Sequence, residues 1–178
     1  MKKLILIFSI MSLFSCSNIT PKTYENNNPK LDIREYLNGK VKAWGMLENR
    51  SGKVTRRFVV DMEGKWNGNE GVLEEYFTFD DGEKSERIWT IKFSDDHNFT
   101  AKAADVIGEA KGSQYGNAMQ MEYVLNLEID RVKKTRYNVK LDDWMYLLDE
   151  KILVNKSDIK KFGVTWAKLT IFFQKVDE

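Results

Sequence analysis

The chain has 178 residues, and 28 Lys and Arg against 27 Asp and Glu leave it a formal net charge of +1. Acids and bases are interleaved without a basic stripe, so nucleic acid is not an expected partner. A single cysteine excludes a disulfide within the chain, and with a single histidine it all but excludes a zinc site built on nitrogen and sulfur.

Taken in chain order, the first element is a short greasy leader. Lys2 and Lys3 precede an unbroken run of apolar or small residues from Leu4 to Leu13, and Leu13-Phe14-Ser15-Cys16 ends it with a small residue directly before the cysteine. The run is about half of the ~20 residues that a membrane-spanning helix needs, so residues 1–15 read as an export signal. The pattern resembles the lipobox of bacterial lipoproteins. That resemblance implies cleavage before Cys16 and lipid chains such as palmitate on the new N-terminus. Each buried methylene contributes roughly 0.8 kcal/mol and one chain alone holds marginally; lipoproteins of this kind carry several, so the membrane is an expected partner. Ser17 follows the cysteine, where an Asp retains Gram-negative lipoproteins at the inner membrane. The resemblance therefore implies the outer membrane of the cell envelope, facing the periplasm. Loss of residues 1–15 removes two lysines and no acid, which moves the charge from +1 to −1. The alternative is an ordinary signal peptide and a soluble mature protein.

Residues 16–30 hold Cys16 and a stretch rich in Asn, Thr and Pro with little to bury, which reads as a flexible tether. Fully extended it would reach on the order of 45 Å. Residues 31–178 are the length of one domain with one core. Leu31–Leu37 suits a short helix, with Asp32 as its cap and Gly39 at its exit. Thereafter runs of β-branched and aromatic residues alternate with polar ones, predicting strands near 40–49, 53–63, 71–80, 85–94, 98–106, 108–115, 118–130, 133–147, 150–156 and 164–175. Ser157–Phe162 reads as one helical turn stopped by Gly163, and the alanines of Thr100–Gly112 also permit a helix. The clearest strand is Ala118–Asp130, where Met119, Met121, Tyr123, Leu125, Leu127 and Ile129 share one face. Leu169 to Phe173 is almost wholly apolar, which suggests cover on both faces of that strand.

Short connections between successive strands demand antiparallel hairpins. The expected fold is all-β: an antiparallel up-and-down, lipocalin-like barrel of about eight to ten strands behind a short N-terminal helix. A β-sandwich satisfies the same periodicity. A barrel of this size has room for side chains and one small ligand.

The stretches NGKVKAWG (38–45), SGKVTRRFVVDMEGKW (51–66), FDDGE (79–83), DVIGEAKG (105–112), GNAM (116–119), DDWMYL (142–147) and KFG (161–163) occur in order along the chain. In them the chain resembles the bacterial lipoprotein family catalogued as domain of unknown function 3833. The resemblance runs from the leader to the C-terminus and implies no particular activity. Ala43-Trp44-Gly45 stands where lipocalins carry Gly-X-Trp, so the lipocalin likeness is one of architecture.

Residues that carry chemistry are sparse. His97 falls in an apparent hairpin turn and reads as solvated. Asp80-Asp81-Gly82-Glu83 offers oxygens to calcium but lacks the spacing of an EF-hand and reads as an acidic turn. Arg56 shares a strand face with Phe58, Val60 and Met62, and Asp143 shares one with Val139, Leu141, Met145 and Leu147. A charge on an apolar face lies at a barrel mouth or is paired, so Arg56 and Asp143 either satisfy each other or hold the polar head of a ligand. Asp105 shares parity with Ala101 and Ala103, another candidate inward acid beside small side chains. Trp44 and Trp89, among five tryptophans, and Met119, Met121 and Tyr123 are candidates for a cavity wall, or for plain core.

These features point to an envelope-anchored, noncatalytic barrel that binds a lipid or another apolar small molecule, with no cofactor. Two alternatives remain: an enzyme acting on lipids or envelope metabolites through inward Asp and Arg, and a protein-interaction module for envelope assembly.

Overall fold

From Gly39 onward, burial alternates residue by residue. Phe58, Val60 and Met62 are buried while Arg57 and Asp61 face solvent, and Leu73, Trp89, Ile91 and Phe93 follow the same rule. Period-two burial of this kind fits a sheet with one face packed and one face wet. In a computed structural model of the chain, which describes residues 19–130 and 135–176, the sheet closes on itself. Ten strands form it: β1 (Gly39–Asn49), β2 (Val54–Asn67), β3 (Glu70–Phe79), β4 (Lys84–Phe93), β5 (Asn98–Lys102), β6 (Ala110–Tyr115), β7 (Ala118–Asp130), β8 (Thr135–Leu147), β9 (Ile152–Lys161) and β10 (Val164–Lys175). Each strand pairs antiparallel with the next, and β1 also pairs with β10, from Val41 opposite Lys175 to Asn49 opposite Ala167. Closure leaves no sheet edge to aggregate.

One end of the barrel is plugged. The single-turn helix α1 (Ile33–Tyr36) starts at Asp32, whose side chain accepts the Arg34 N–H at 2.9 Å. Leu31, Ile33, Tyr36 and Leu37 are all buried and continue the barrel core. Polar ties fix the plug to the rim: Ile33 N–H donates to Gln114 Oε1 at 3.0 Å, and Tyr36 O–H donates to the Lys151 carbonyl at 2.8 Å. Gly64 on β2 makes the close approach possible, because a Cβ there would sit 1.8 Å from the Leu37 carbonyl oxygen. Gly64→Ala is expected to lower stability by at least about 2 kcal/mol, since both groups in the clash are backbone; chemical denaturation of the two proteins measures it.

Several sequence expectations change here. The tether expected over residues 16–30 is not free along its length: Pro21 is buried in a 3₁₀ turn, Pro21–Tyr24, and the Tyr24 ring meets Tyr146 edge-on at 5.5 Å. Gly116 (φ +56°) lets the Tyr24 carbonyl lie close against it. Burial of Pro21 and ring contacts of the half-buried Tyr24 outweigh the polar composition of that segment. Cys16 and the leader, 1–15, lie outside the described residues. Ser157–Phe162, expected as a helical turn, continues β9 to Lys161, because Ser157 and Ile159 point inward and pair with Leu169 and Ala167 of β10. The strand expected over 98–106 stops at Lys102, and a turn closed by Val106 N–H to the Ala103 carbonyl follows it. On β10 only one face is covered: Phe173 is buried but Phe172 is 49% exposed.

Candidate functional site in the barrel interior

Halfway along the barrel the inward pattern turns from apolar to polar. On β3 the inward positions run Leu73, Glu75, Phe77; on β4 Arg87 lies directly across from Glu75. On β8 Asp143 is flanked across the sheet by Met121 of β7 and Ser157 of β9. Glu75 is 8% exposed and Asp143 5%. Cross-strand registry therefore brings four polar side chains, Glu75, Arg87, Asp143 and Ser157, from distant parts of the chain into one layer of the core.

The partners in this layer are unequal. Arg87 is committed to Asp105, to which its Nε and Nη2 donate at 2.7–3.2 Å, and it lies 5.7 Å from the Trp89 ring. Tyr123 O–H donates to Asp143 Oδ2 at 2.8 Å, and its ring stands edge-on to Trp89 at 5.4 Å. Ser157 O–H donates to Asn155 Oδ1 at 2.9 Å. Among the described residues, Glu75 Oε2 and Asp143 Oδ1 are buried without a hydrogen-bond partner. Both carboxyl groups lie on the wall of an interior cavity of about 80 Å³, whose other walls include Phe58, Met62, Trp89, Met121 and Tyr123.

Burial governs the ionisation of these groups. Loss of water pushes the Glu75 carboxyl up to about 7 from 4.5; Arg87 and a Trp89 hydrogen bond pull it down, while Asp105 and Asp143 add repulsion. Burial likewise pushes Asp143 up to about 6 from 3.8, with the nearby Ser157 hydroxyl, the Tyr123 hydrogen bond and the Arg87 charge offsetting part of the rise. The Tyr123 hydroxyl is raised well above its usual value by burial and by the Asp143 charge. Burial disfavours the Arg87 cation, but its acidic neighbours, Glu75 foremost, outweigh that and keep it protonated. Tyr123→Phe removes the hydroxyl that serves Asp143 and is expected to cost about 1–3 kcal/mol near neutral pH, as read from denaturation midpoints.

Of the candidate residues, Trp89, Met121, Tyr123 and Asp143 meet on the cavity wall. Asp105 stands behind them as the partner of Arg87. Met119 is buried nearer the plugged end, opposite Met145 and Gln114. Trp44 is a correction: it is 42% exposed and points away from the cavity. Its neighbours Ala43 and Gly45 take the inward positions, where the Phe58 ring fills the space a Gly45 side chain would need. Arg56 is the second correction, since it does not pair with Asp143. Its guanidinium lies 3.4 Å from the Phe79 ring centroid, bonded to Glu83 and Asp81 near the start of β2. The parity was right, but the residue stands at the barrel rim rather than in its middle. Glu75, Arg87, Asn155 and Ser157 were missed, although parity with Leu73, Trp89 and Leu153 marks them as inward.

Two turn features follow the plain reading. His97 sits in a turn with Nδ1 3.0 Å from the Gln114 carbonyl and its ring stacked on Tyr115. The acids of Asp80-Asp81-Gly82-Glu83 bind Arg56 and Arg57. Outside the barrel, Trp44, Met46, Val59, Thr78, Thr170 and Phe172 line an apolar groove of about 470 Å³.

A closed up-and-down barrel, plugged at one end and carrying a polar layer in its core, is lipocalin-like in architecture. A family profile described as Protein of unknown function (DUF3833) matches residues 10–175, and the chain belongs to that family. Among solved structures the chain is similar to an S-type phycobiliprotein lyase from Guillardia theta, with a TM-score of 0.58 and 7% identity over 90% of this chain and 100% of that one. That likeness is one of fold. Comparison with curated proteins gives no match.

Proposed function

We propose that this protein is a lipid-anchored envelope barrel that binds a small molecule in its interior, held at the membrane through Cys16. The observation that carries the reading is the cavity with two unpartnered carboxylate oxygens on its wall. Buried polar atoms without partners are rare in folded proteins, and each one calls for an explanation; a bound molecule that supplies the missing donors is one. The plug formed by α1 closes one mouth, so a ligand reaches the cavity from the end that holds Arg56 and Phe79. The fold is shared with a protein described as a phycobiliprotein lyase.

The cavity changes the ligand expected from the sequence. At about 80 Å³ it is well below the 300–1,000 Å³ typical of drug-sized ligands. An acyl chain does not fit, whereas a compact molecule or the head of a longer one does. Native mass spectrometry of the protein extracted gently from its own cells is expected to show a bound small molecule, and Met121→Trp is expected to expel it. An unliganded mass in every preparation contradicts the reading. For the anchor, Cys16→Ser is expected to move the protein from the membrane to the soluble fraction; full retention at the membrane contradicts it.

The outer groove supports one additional reading. Ile19 lies beside Trp144 and Tyr146, and Cys16 precedes it by three residues, or about 10 Å of extended chain. Tyr146, Val154, Phe172 and Trp44 follow one another across β8, β9, β10 and β1 in one register row. Exposed aromatic rings suit the headgroup zone of a bilayer, so this row faces the membrane that holds the anchor. Trp44→Ser with Phe172→Ser is expected to weaken binding of the Cys16→Ser protein to phospholipid vesicles; unchanged binding contradicts it.

A further inference from the structure

The interior layer also specifies the chemistry of its ligand, an inference that rests on the interior-binding reading above. We infer that the site takes a small organic cation, an ammonium or amidinium group on a short apolar body, held between Glu75 Oε2 and Asp143 Oδ1.

Three observations converge on a cation. First, among the described residues the buried polar atoms left without a partner on the wall are both acceptors, carboxylate oxygens on β3 and β8. Second, the charge is unbalanced. Among the described residues, Glu75, Asp143 and Asp105 face one basic group, Arg87, and two of its nitrogens are already spent on Asp105. An anionic head would meet two carboxylates and a guanidinium bonded to Asp105, and Arg56, a sequence candidate for holding a ligand's polar head, is bonded at the rim to Glu83. Third, the rings of Trp89 and Tyr123 border the same space, and aromatic faces attract cations when water is excluded. A bound ammonium ion supplies donors to both orphaned oxygens and neutralises the layer at once.

Size and softness limit the rest of the ligand. A cavity of about 80 Å³ holds on the order of three waters by liquid volume. Met62, Met121 and Met145 line it, and methionine shifts readily to fit an irregular shape. A chain of a few carbons is therefore accommodated beyond the charged group. Binding is coupled to pH, since burial keeps both carboxyls protonated into the range of pH 6–7 and the cation needs them ionised. Affinity rises as the pH rises through that range.

The test compares n-butylammonium, n-butanol and n-butanoate on the full mature chain, read by the side-chain carboxyl ¹³C signals of Glu75 and Asp143. The expected result is that n-butylammonium alone binds, shifts both signals, and binds at least about tenfold more tightly at pH 8 than at pH 5. Glu75→Gln and Asp143→Asn are each expected to lower that affinity tenfold or more, while Arg56→Gln leaves it unchanged. The wild-type carboxyl signals make the test independent of whether the variants fold. Tighter binding of n-butanoate or n-butanol inside the barrel overturns the cation assignment and leaves interior binding standing. Binding of n-butylammonium that moves neither carboxyl signal overturns it too. If none of the three binds, the cation assignment fails; the interior-binding reading fails with it only when native mass spectrometry also finds no ligand.

Discussion

Glu75→Gln is expected to make the ligand-free protein more stable above pH 7, by about 1–3 kcal/mol, and to flatten its stability between pH 4.5 and 7. The Glu75 carboxyl is held at about 7 in the folded protein against 4.5 in an unperturbed chain. Below pH 4.5 it is protonated in both states and carries no penalty. Between 4.5 and 7 the unfolded chain releases its proton while the folded protein keeps it, so folding is disfavoured progressively as the pH rises. Above pH 7 the penalty is complete, on the order of 3 kcal/mol at ~1.4 kcal/mol for each tenfold change in acidity. Glutamine cannot ionise and escapes it, although its amide brings a donor that also needs a partner, which trims the gain. Asp143→Asn follows the same logic, with its window between 3.8 and about 6. Asp32, Asp95 and Asp142 are lowered and act in the opposite sense, giving stability that is lost as the medium becomes acidic. The difference between wild type and variant isolates Glu75, and urea denaturation from pH 4 to 8 measures it. A residue that weakens its own fold at neutral pH is a strong candidate for a binding role, because ligand binding restores what burial costs.

Arg87→Met is expected to have the opposite effect at neutral pH and above. It leaves Asp105 without the guanidinium that binds both its oxygens, and leaves Glu75 without its opposing charge. Breaking a buried ion pair from one side costs about 3–5 kcal/mol. Here the side chains keep 22% and 33% of their exposure, so solvent reduces the loss to about 2–4 kcal/mol. For a domain of this size that is a fall of roughly 5–15 °C in Tm. Arg87→Lys keeps the charge but not the paired geometry, and falls between the two. A Tm within a degree or two of wild type for Arg87→Met would show that the layer is not electrostatically coupled.

Period-two alternation made most of this architecture legible. It marks the faces of β2, β7 and β8, and through them it picks out Met121, Tyr123 and Asp143 as inward. The same parity applied to Leu73-Glu74-Glu75 and Arg87-Ile88-Trp89 finds the other half of the site, but two adjacent glutamates and an isolated arginine look like an ordinary solvated face until registry sets them opposite each other. Parity also says nothing of depth. Arg56 and Asp143 both point inward, yet one stands at the rim and the other in the middle, because strand stagger in a closed barrel is set by pairing between strands. Trp44 shows the converse: its bulk suggested a cavity wall, while the small neighbours Ala43 and Gly45 were the residues that mark the inner face. At Ser157–Phe162 local capping signals suggested a helix, and pairing with β10 overrode them.

The barrel interior is proposed above as a binding site. A high-resolution crystal structure of the protein purified from its own cells tests it most directly. Density for a compact molecule is expected in the cavity, with donor atoms about 2.6–3.0 Å from Glu75 Oε2 and Asp143 Oδ1. Side chains collapsed across that space, with both oxygens bonded to protein groups alone, would contradict it.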